Sequence, residues 1–328
     1  MFNCRNQLAM DPMTVLIIVL LPFTITSTFI YVYILSVILR NRDLRVKAFF
    51  MLNVAMGAAD IGTIWSMYIF HRLRSFAHFT PFFLIFGNYG VLAFMCTNGF
   101  GFFHNTQKYL LLAIGVNRFM AVVMPSTHKK IWTKNYCALV IFLILGFNAV
   151  HSAVTQIVSP SSFQYKPNQT NLLTCRTEDK TLYSIGLQYN SYLPVLLAVL
   201  LCLIYGIIVI YLCTNRKKVE STSNASKLHA YKVELRLTIC VLLHSLVLVI
   251  DGVSTAFSLV FEMDALVITL INNMVQDILC GCNPYLLLLF SSELRKLVFC
   301  SRSYVSAYSG SGSSPVFTAV GRVPARSN

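Results

Sequence analysis

The chain has 328 residues, 56% of them hydrophobic and only 12% charged, with 26 Lys+Arg against 12 Asp+Glu and a net charge of +14. Ordinary soluble domains carry about 25% charged residues, so this composition excludes them and marks an integral membrane protein. The cations cluster in short segments between apolar runs, where they report topology, and the positive charge therefore implies no nucleic-acid partner.

Residues 1–12 form a short polar segment, expected to be extracellular. Residues 13–39 are an uncharged apolar run of 27, too long for a cleaved signal peptide, and read as a first membrane helix. The loop at 40–47 holds four cations within eight residues, which places it inside and the N-terminus outside. A second run covers 48–70, and 71–78 is polar. The third helix is placed at about 90–123, with 79–89 an apolar outer loop or re-entrant piece. Runs at 136–158, about 183–213, 235–261 and 265–290 complete seven spans and put the C-terminus inside. Nineteen of the 26 Lys+Arg then fall inside, six outside, and Lys108 within a span.

The third helix ends in 109–125, YLLLAIGVNRFMAVVMP, whose single charge is Arg118. At about 1.5 Å per residue the arginine lies roughly 10 Å before Pro125, within snorkelling reach of the headgroups. A stop-transfer flank is the bland reading. Lys129, Lys130 and Lys134 follow and mark this end as cytosolic.

Residues 291–300 carry an apolar stripe of Leu294, Leu297 and Val298 beside Arg295 and Lys296, as in a short helix lying on the membrane, with Cys300 a palmitoylation candidate. The Ser/Gly-rich segment 301–328 is expected to be a disordered cytoplasmic tail. The sequon at Asn168 falls on the outer side, where glycosylation occurs. Most of the 10 cysteines sit within spans as buried thiols. Cys96 and Cys175 face the oxidising side and are expected to pair.

Polar residues recur at helical spacing within the spans: Asn53, Gly57 and Asp60; His104, Lys108, Gly115 and Arg118; His244, Asp251, Thr255 and Ser258; Asn273, Gln276, Asp277, Cys280 and Asn283. Interhelical glue, worth about 0.6 kcal/mol per bond, is the alternative reading. Three intramembrane acids and a lysine exceed what glue requires, so a water-filled cavity is expected. A ligand entering from outside would meet His104, Asn273, Gln276 and Asp277 before Lys108, whose counter-ion is Asp277 or Asp251.

NRF at 117–119, AAD at 58–60, Pro194, and NPY at 283–285 followed by a surface helix together resemble a rhodopsin-type G-protein-coupled receptor. Within that superfamily, VNRFMAVVMP with HKKIW, and NPYLLLLFSSELRK, are similar to nematode serpentine chemoreceptors of the Srg/Srv group, over about residues 13–300. The resemblance implies an all-α membrane protein, a seven-transmembrane helix bundle with the N-terminus outside, and a non-enzymatic chemosensory receptor in the plasma membrane of a sensory cell. It implies a heterotrimeric G protein as partner, engaged through Asn117, Arg118, Phe119, Lys129 and Lys130, besides membrane lipid. The ligand is a small molecule or short peptide. Asp60, Pro194, Asn283, Pro284 and Tyr285 take the places of conformational-switch residues, Asp60 being the acid often involved in sodium binding, the one cofactor implied.

There are departures. Asn117 replaces the acid that restrains the arginine, helix one lacks its usual Asn, helix four lacks Trp, helix six lacks Trp-x-Pro, and Leu286 and Leu287 follow the NPY. A secondary transporter using intramembrane Asp and Lys is the rival from another class, against which stand an odd span count and no repeated half. A non-signalling membrane partner is a third reading. An opsin is disfavoured because helix seven has no lysine.

Overall fold

In hydrocarbon every backbone group must be satisfied within its own segment, and the apolar runs accordingly become long helices. The computed structural model describes residues 12–166, 169–177, 179–221, 225–260 and 265–299. Residues 1–11, Asn168, Cys300 and the tail 301–328 lie outside the described residues. Within them run seven long helices: α1 Pro12–Arg40, α2 Ala48–Ser66, α3 Phe100–Val123, α4 Lys134–Val158, α5 Lys180–Ser221, α6 Ala225–Val260 and α7 Ala265–Phe290. A short helix α8, Ser292–Phe299, turns 90° from the end of α7. Its start is held where Ser291 Oγ accepts from Leu294 N at 3.2 Å.

The result is an all-α multi-pass bundle. Among the described residues five helices are long and apolar enough to cross a membrane, six if the bent α7–α8 pair counts as one span. Helix α3 falls short because its buried face carries His104, Asn105, Thr106, Gln107, Lys108, Asn117 and Arg118. Helices α5 and α6 outrun their expected spans: the 42 residues of α5 reach about 63 Å, roughly twice a hydrocarbon core.

Lipid tails are as apolar as leucine, so what drives these helices together is close packing and internal polar contact. Helix α4 shows the inverted pattern plainly. It buries Cys137, Asn148 and Ser152, while Phe142 is 70% exposed on the lipid-facing side. Helix α3 is the centre of the bundle, touching α2, α4, α5 and α6, and the main core gathers Ile34, Leu52, Met56, Leu110, Leu201 and Ile208 around it.

Two local features separate the structure from the expected map. Helix α2 continues through a π turn, Met67–Arg72, and α3 is preceded by another, Met95–Gly99. A π turn shifts the face that following residues present. Arg72, expected in an outer loop, is thereby buried at 2% exposure. The connection after α4 is a β-hairpin, β1 Ser161–Lys166 against β2 Gln169–Thr177, with Phe163 opposite Cys175. Phe163 N donates to Asn88 O at 2.9 Å, and Phe83 meets the Phe163 ring edge-on at 5.6 Å. The apolar segment at 79–89 and the hairpin therefore form one small second core with Phe70, Ala93, Cys96 and Leu173.

Close approach of α2 and α3 depends on Gly62. A Cβ there would lie 2.4 Å from a Phe103 ring atom, whereas one at Gly146 meets nothing within 4 Å. Gly62→Val should cost about 1–3 kcal/mol by overpacking and lower the Tm in lipid nanodiscs, while Gly146→Ala should hold or raise it. Equal Tm for the two variants would show that the helices do not meet this closely.

Candidate functional site

The polar residues of α2, α3, α6 and α7 converge on the bundle axis in two linked groups near the hairpin. In the first, Arg72 Nη2 donates to Asp277 Oδ2 at 2.8 Å and to Asn273 O at 3.2 Å. The guanidinium lies 4.0 Å above the Tyr68 ring, and Tyr68 OH donates to the same carboxylate oxygen at 3.4 Å. Thr24 of α1 donates to Tyr68 OH at 3.1 Å. In the second group, Gln276 Nε2 donates to Asp251 Oδ1 at 2.6 Å, and His104 Nε2 lies 3.8 Å from Asp251 Oδ2. His104 stacks on Phe100 at 5.3 Å. Lys108 is 1% exposed and its Nζ has no hydrogen-bond partner among the described residues. Asp251 is the acid whose charge acts on it.

All six residues expected to form a ligand pocket are thus together, but the ion pairing differs from a Lys108–Asp277 bridge. Arg72 takes Asp277 because the π turn swings it inward, which leaves Asp251 to Lys108. Thr255 and Ser258 have side chains outside the described set.

Deeper along the axis, Asp60 joins α1, α2 and α7. Tyr31 OH donates to Asp60 Oδ2, and Asn283 Nδ2 donates to that oxygen at 3.0 Å. Gln107 also bonds this carboxylate and donates to Cys280 Sγ at 3.5 Å. Tyr31 supplies from α1 a partner that the missing helix-one Asn would have supplied. Asp60 Oδ1 has no partner, but the groups around the carboxylate are donors. They suit a carboxylate held by protein donors better than an oxygen cage for sodium. Tyr285 stacks with Phe23 at 6.2 Å and shares a 3.3 Å hydrogen bond with Ser27, while Pro284 is buried. Pro194 touches α6 where Gly252 has no room for a Cβ: one there would meet Val195 N at 3.1 Å.

The opposite end of α3 opens into a cavity of about 370 Å³ lined by Phe49, Asn117, Arg118, His128, Lys129 and Glu293, among others. The Arg118 guanidinium lies 4.0 Å over the Phe49 ring. Asn117 Nδ2 is 3.1 Å from His128 Nε2, and Lys47 bridges Glu293 of α8 at 2.7 Å. Tyr205 of α5, fully buried, approaches Arg118 from the other side. Phe119 packs into the main core and Lys130 is exposed, so neither lines the cavity.

Near the hairpin, Cys96 and Cys175 lie side by side as free thiols sharing a hydrogen bond. Thr97 Oγ1 is 2.8 Å from Cys175 Sγ, and Arg74 Nη1 donates to Cys96 Sγ at 3.1 Å. The Cys175 thiol is pulled down to about 7: the Cys96 hydrogen bond lowers it most, burial works against this, and Thr97 and the Arg74 charge add to the lowering.

Five contributors escaped sequence reasoning: Arg72, Tyr68, Tyr31, Gln107 and Tyr205. For Tyr31 a signal existed, since Thr24, Ser27 and Tyr31 follow helical spacing and all three are buried. For Arg72 none did, because a cation after an apolar run reads as a flank. Among the described residues no three His, Cys, Asp or Glu side chains group as a metal site.

The model of the family described as serpentine type 7TM GPCR chemoreceptor Srv matches residues 20–304. No curated protein matches the chain.

Breaking a buried ion pair from one side strands the other charge. Arg72→Met and Asp277→Leu should each destabilise by about 3 kcal/mol, with most of the loss recovered in Arg72→Met/Asp277→Leu. Unfolding midpoints in nanodiscs test this, and strictly additive losses would dissolve the pair. In reduced protein, alkylation of Cys175 should rise through about pH 7. Cys96→Ala should move that midpoint up toward the ordinary thiol value of about 8.5. An unchanged midpoint would sever the link between the two thiols.

Proposed function

The chain belongs to the Srv family of serpentine 7TM GPCR chemoreceptors, and from that premise we propose that it binds an extracellular ligand inside the bundle and activates a heterotrimeric G protein. The family is a class of multi-pass membrane receptors and not of enzymes. In this reading α1 to α7 are seven spans, the N-terminus and hairpin are outside, and the Arg118 end is inside, in a sensory-cell plasma membrane. The basic loops after α1 and α3 support that orientation. It also puts Asn168 outside for glycosylation and Cys300 inside for palmitoylation, and lets Cys96 and Cys175 join as a disulfide in an oxidising compartment.

The observation that carries the reading is the cavity at the Arg118 end, about 370 Å³ and cationic through Arg118 and Lys129, the Lys47 charge being matched by Glu293. At rest Arg118 is parked on Phe49 and Asn117 is engaged by His128. The cavity admits a partner once the helices at this end move apart, and Pro194 in α5 and Pro284 in α7 supply kinks where such motion concentrates. A ligand that favours one arrangement of α6 and α7 near the hairpin shifts the population of the other end. The route is continuous: Asp277 and Asp251 act on Cys280, Cys280 bonds Gln107, and Gln107 bonds Asp60, which holds Asn283 beside Pro284.

Basal guanine-nucleotide exchange on a co-expressed G-protein α subunit tests this in membranes. Arg118→Ala should drop exchange to the level of membranes lacking the chain while surface expression stays within about twofold. Asn117→Asp gives the arginine a full counter-charge and should lower basal exchange by about 1 kcal/mol, roughly fivefold. Undiminished exchange in Arg118→Ala would remove this mechanism.

A further inference from the structure

Resting on the receptor reading above, we infer that the ligand is a small organic carboxylate, its carboxylate held by Lys108 and its apolar part along Phe100. The argument begins with unused hydrogen-bonding capacity. Lys108 Nζ, carrying three N–H groups, is buried with no acceptor. Arg72 Nε and Nη1 are likewise buried and unbonded. Against these stand two unused acceptors on neighbouring residues, Gln276 Oε1 and Asp277 Oδ1.

The acid that acts on Lys108 cannot absorb this surplus. Asp251 gives Oδ1 to Gln276 at 2.6 Å and has Oδ2 3.8 Å from His104. Buried donors without acceptors are costly, so the site gains most from a group that accepts and does not donate. A carboxylate is such a group, with about four lone-pair sites and a charge opposite to lysine. An amine would bring further donors and a like charge, and an alcohol only one acceptor oxygen. Beyond His104 the surface turns aromatic: Phe100 stacks on the imidazole at 5.3 Å and His71 meets Phe100 edge-on at 5.0 Å. An aromatic neighbour of this kind favours a hydrocarbon tail or a ring over a second charge.

The test uses the whole chain in lipid nanodiscs with butyrate, hexanoate and benzoate, matched against hexanol and hexylamine. At least one carboxylate should raise the Tm in a saturable way, with the alcohol and amine giving no comparable shift. Lys108→Met should weaken that carboxylate at least tenfold and Lys108→Arg should retain it. Because Lys108→Met strands Asp251, Lys108→Met/Asp251→Asn serves as the folded control and should bind as weakly. No shift with any of the three carboxylates, a larger shift with hexylamine, or undiminished binding in the double variant would each overturn the inference. Nucleotide exchange measured in parallel separates the two claims. Stabilisation by carboxylate without exchange upholds the site and sinks the receptor reading, whereas exchange driven by hexanol or hexylamine alone upholds the receptor and sinks the carboxylate.

Discussion

A charge carried into hydrocarbon must be answered by another charge or by directed hydrogen bonds, and the architecture of this protein follows from how that demand is met. Arg72 and Asp277 answer each other at 2.8 Å with both side chains removed from solvent. Helices α2 and α7 are thereby clasped at one end of the bundle, with Tyr68 and Thr24 bringing in α1. Helix α3, which buries His104, Gln107, Lys108, Asn117 and Arg118, can occupy the centre only because α2, α6 and α7 turn polar faces toward it. Lipid sees the opposite surfaces, which is why large apolar side chains such as Phe142 stand outward.

The same demand builds a thread along the axis. Its links differ in how far they are bonded. Asp60 is surrounded by donors from Tyr31, Asn283 and Gln107, whereas Lys108 is left without an acceptor. Satisfied networks hold one arrangement firmly, and partly satisfied ones leave free energy that a ligand can recover.

Departures from the usual receptor motifs become intelligible as substitutions of partner. Where helix one lacks Asn, Tyr31 reaches Asp60 directly. Where Asn117 replaces an acid, the arginine beside it rests on the Phe49 ring, a contact worth about 0.5–2 kcal/mol. Asn117 meanwhile engages His128.

What the sequence by itself determined was what hydrophobicity and charge encode locally. The apolar runs, the basic loops between them, the short helix after Phe290 and the polar spacing in α3 and α7 all follow from residue type and period, and those properties survive whatever the chain packs against. It also placed His104, Lys108, Asp251, Gln276 and Asp277 in one neighbourhood, because polar residues at helical spacing can only face inward. Which charge meets which was decided by the tertiary structure. A π turn before Arg72 rotates it from a loop into the core, and no local pattern announces that turn, since it is stabilised by the Asp277 carboxylate it delivers the arginine to. The hairpin over 161–177 is of the same kind: its strands are held by Asn88 and Phe83, distant in sequence, and only when those residues are in place is pairing there better than loop.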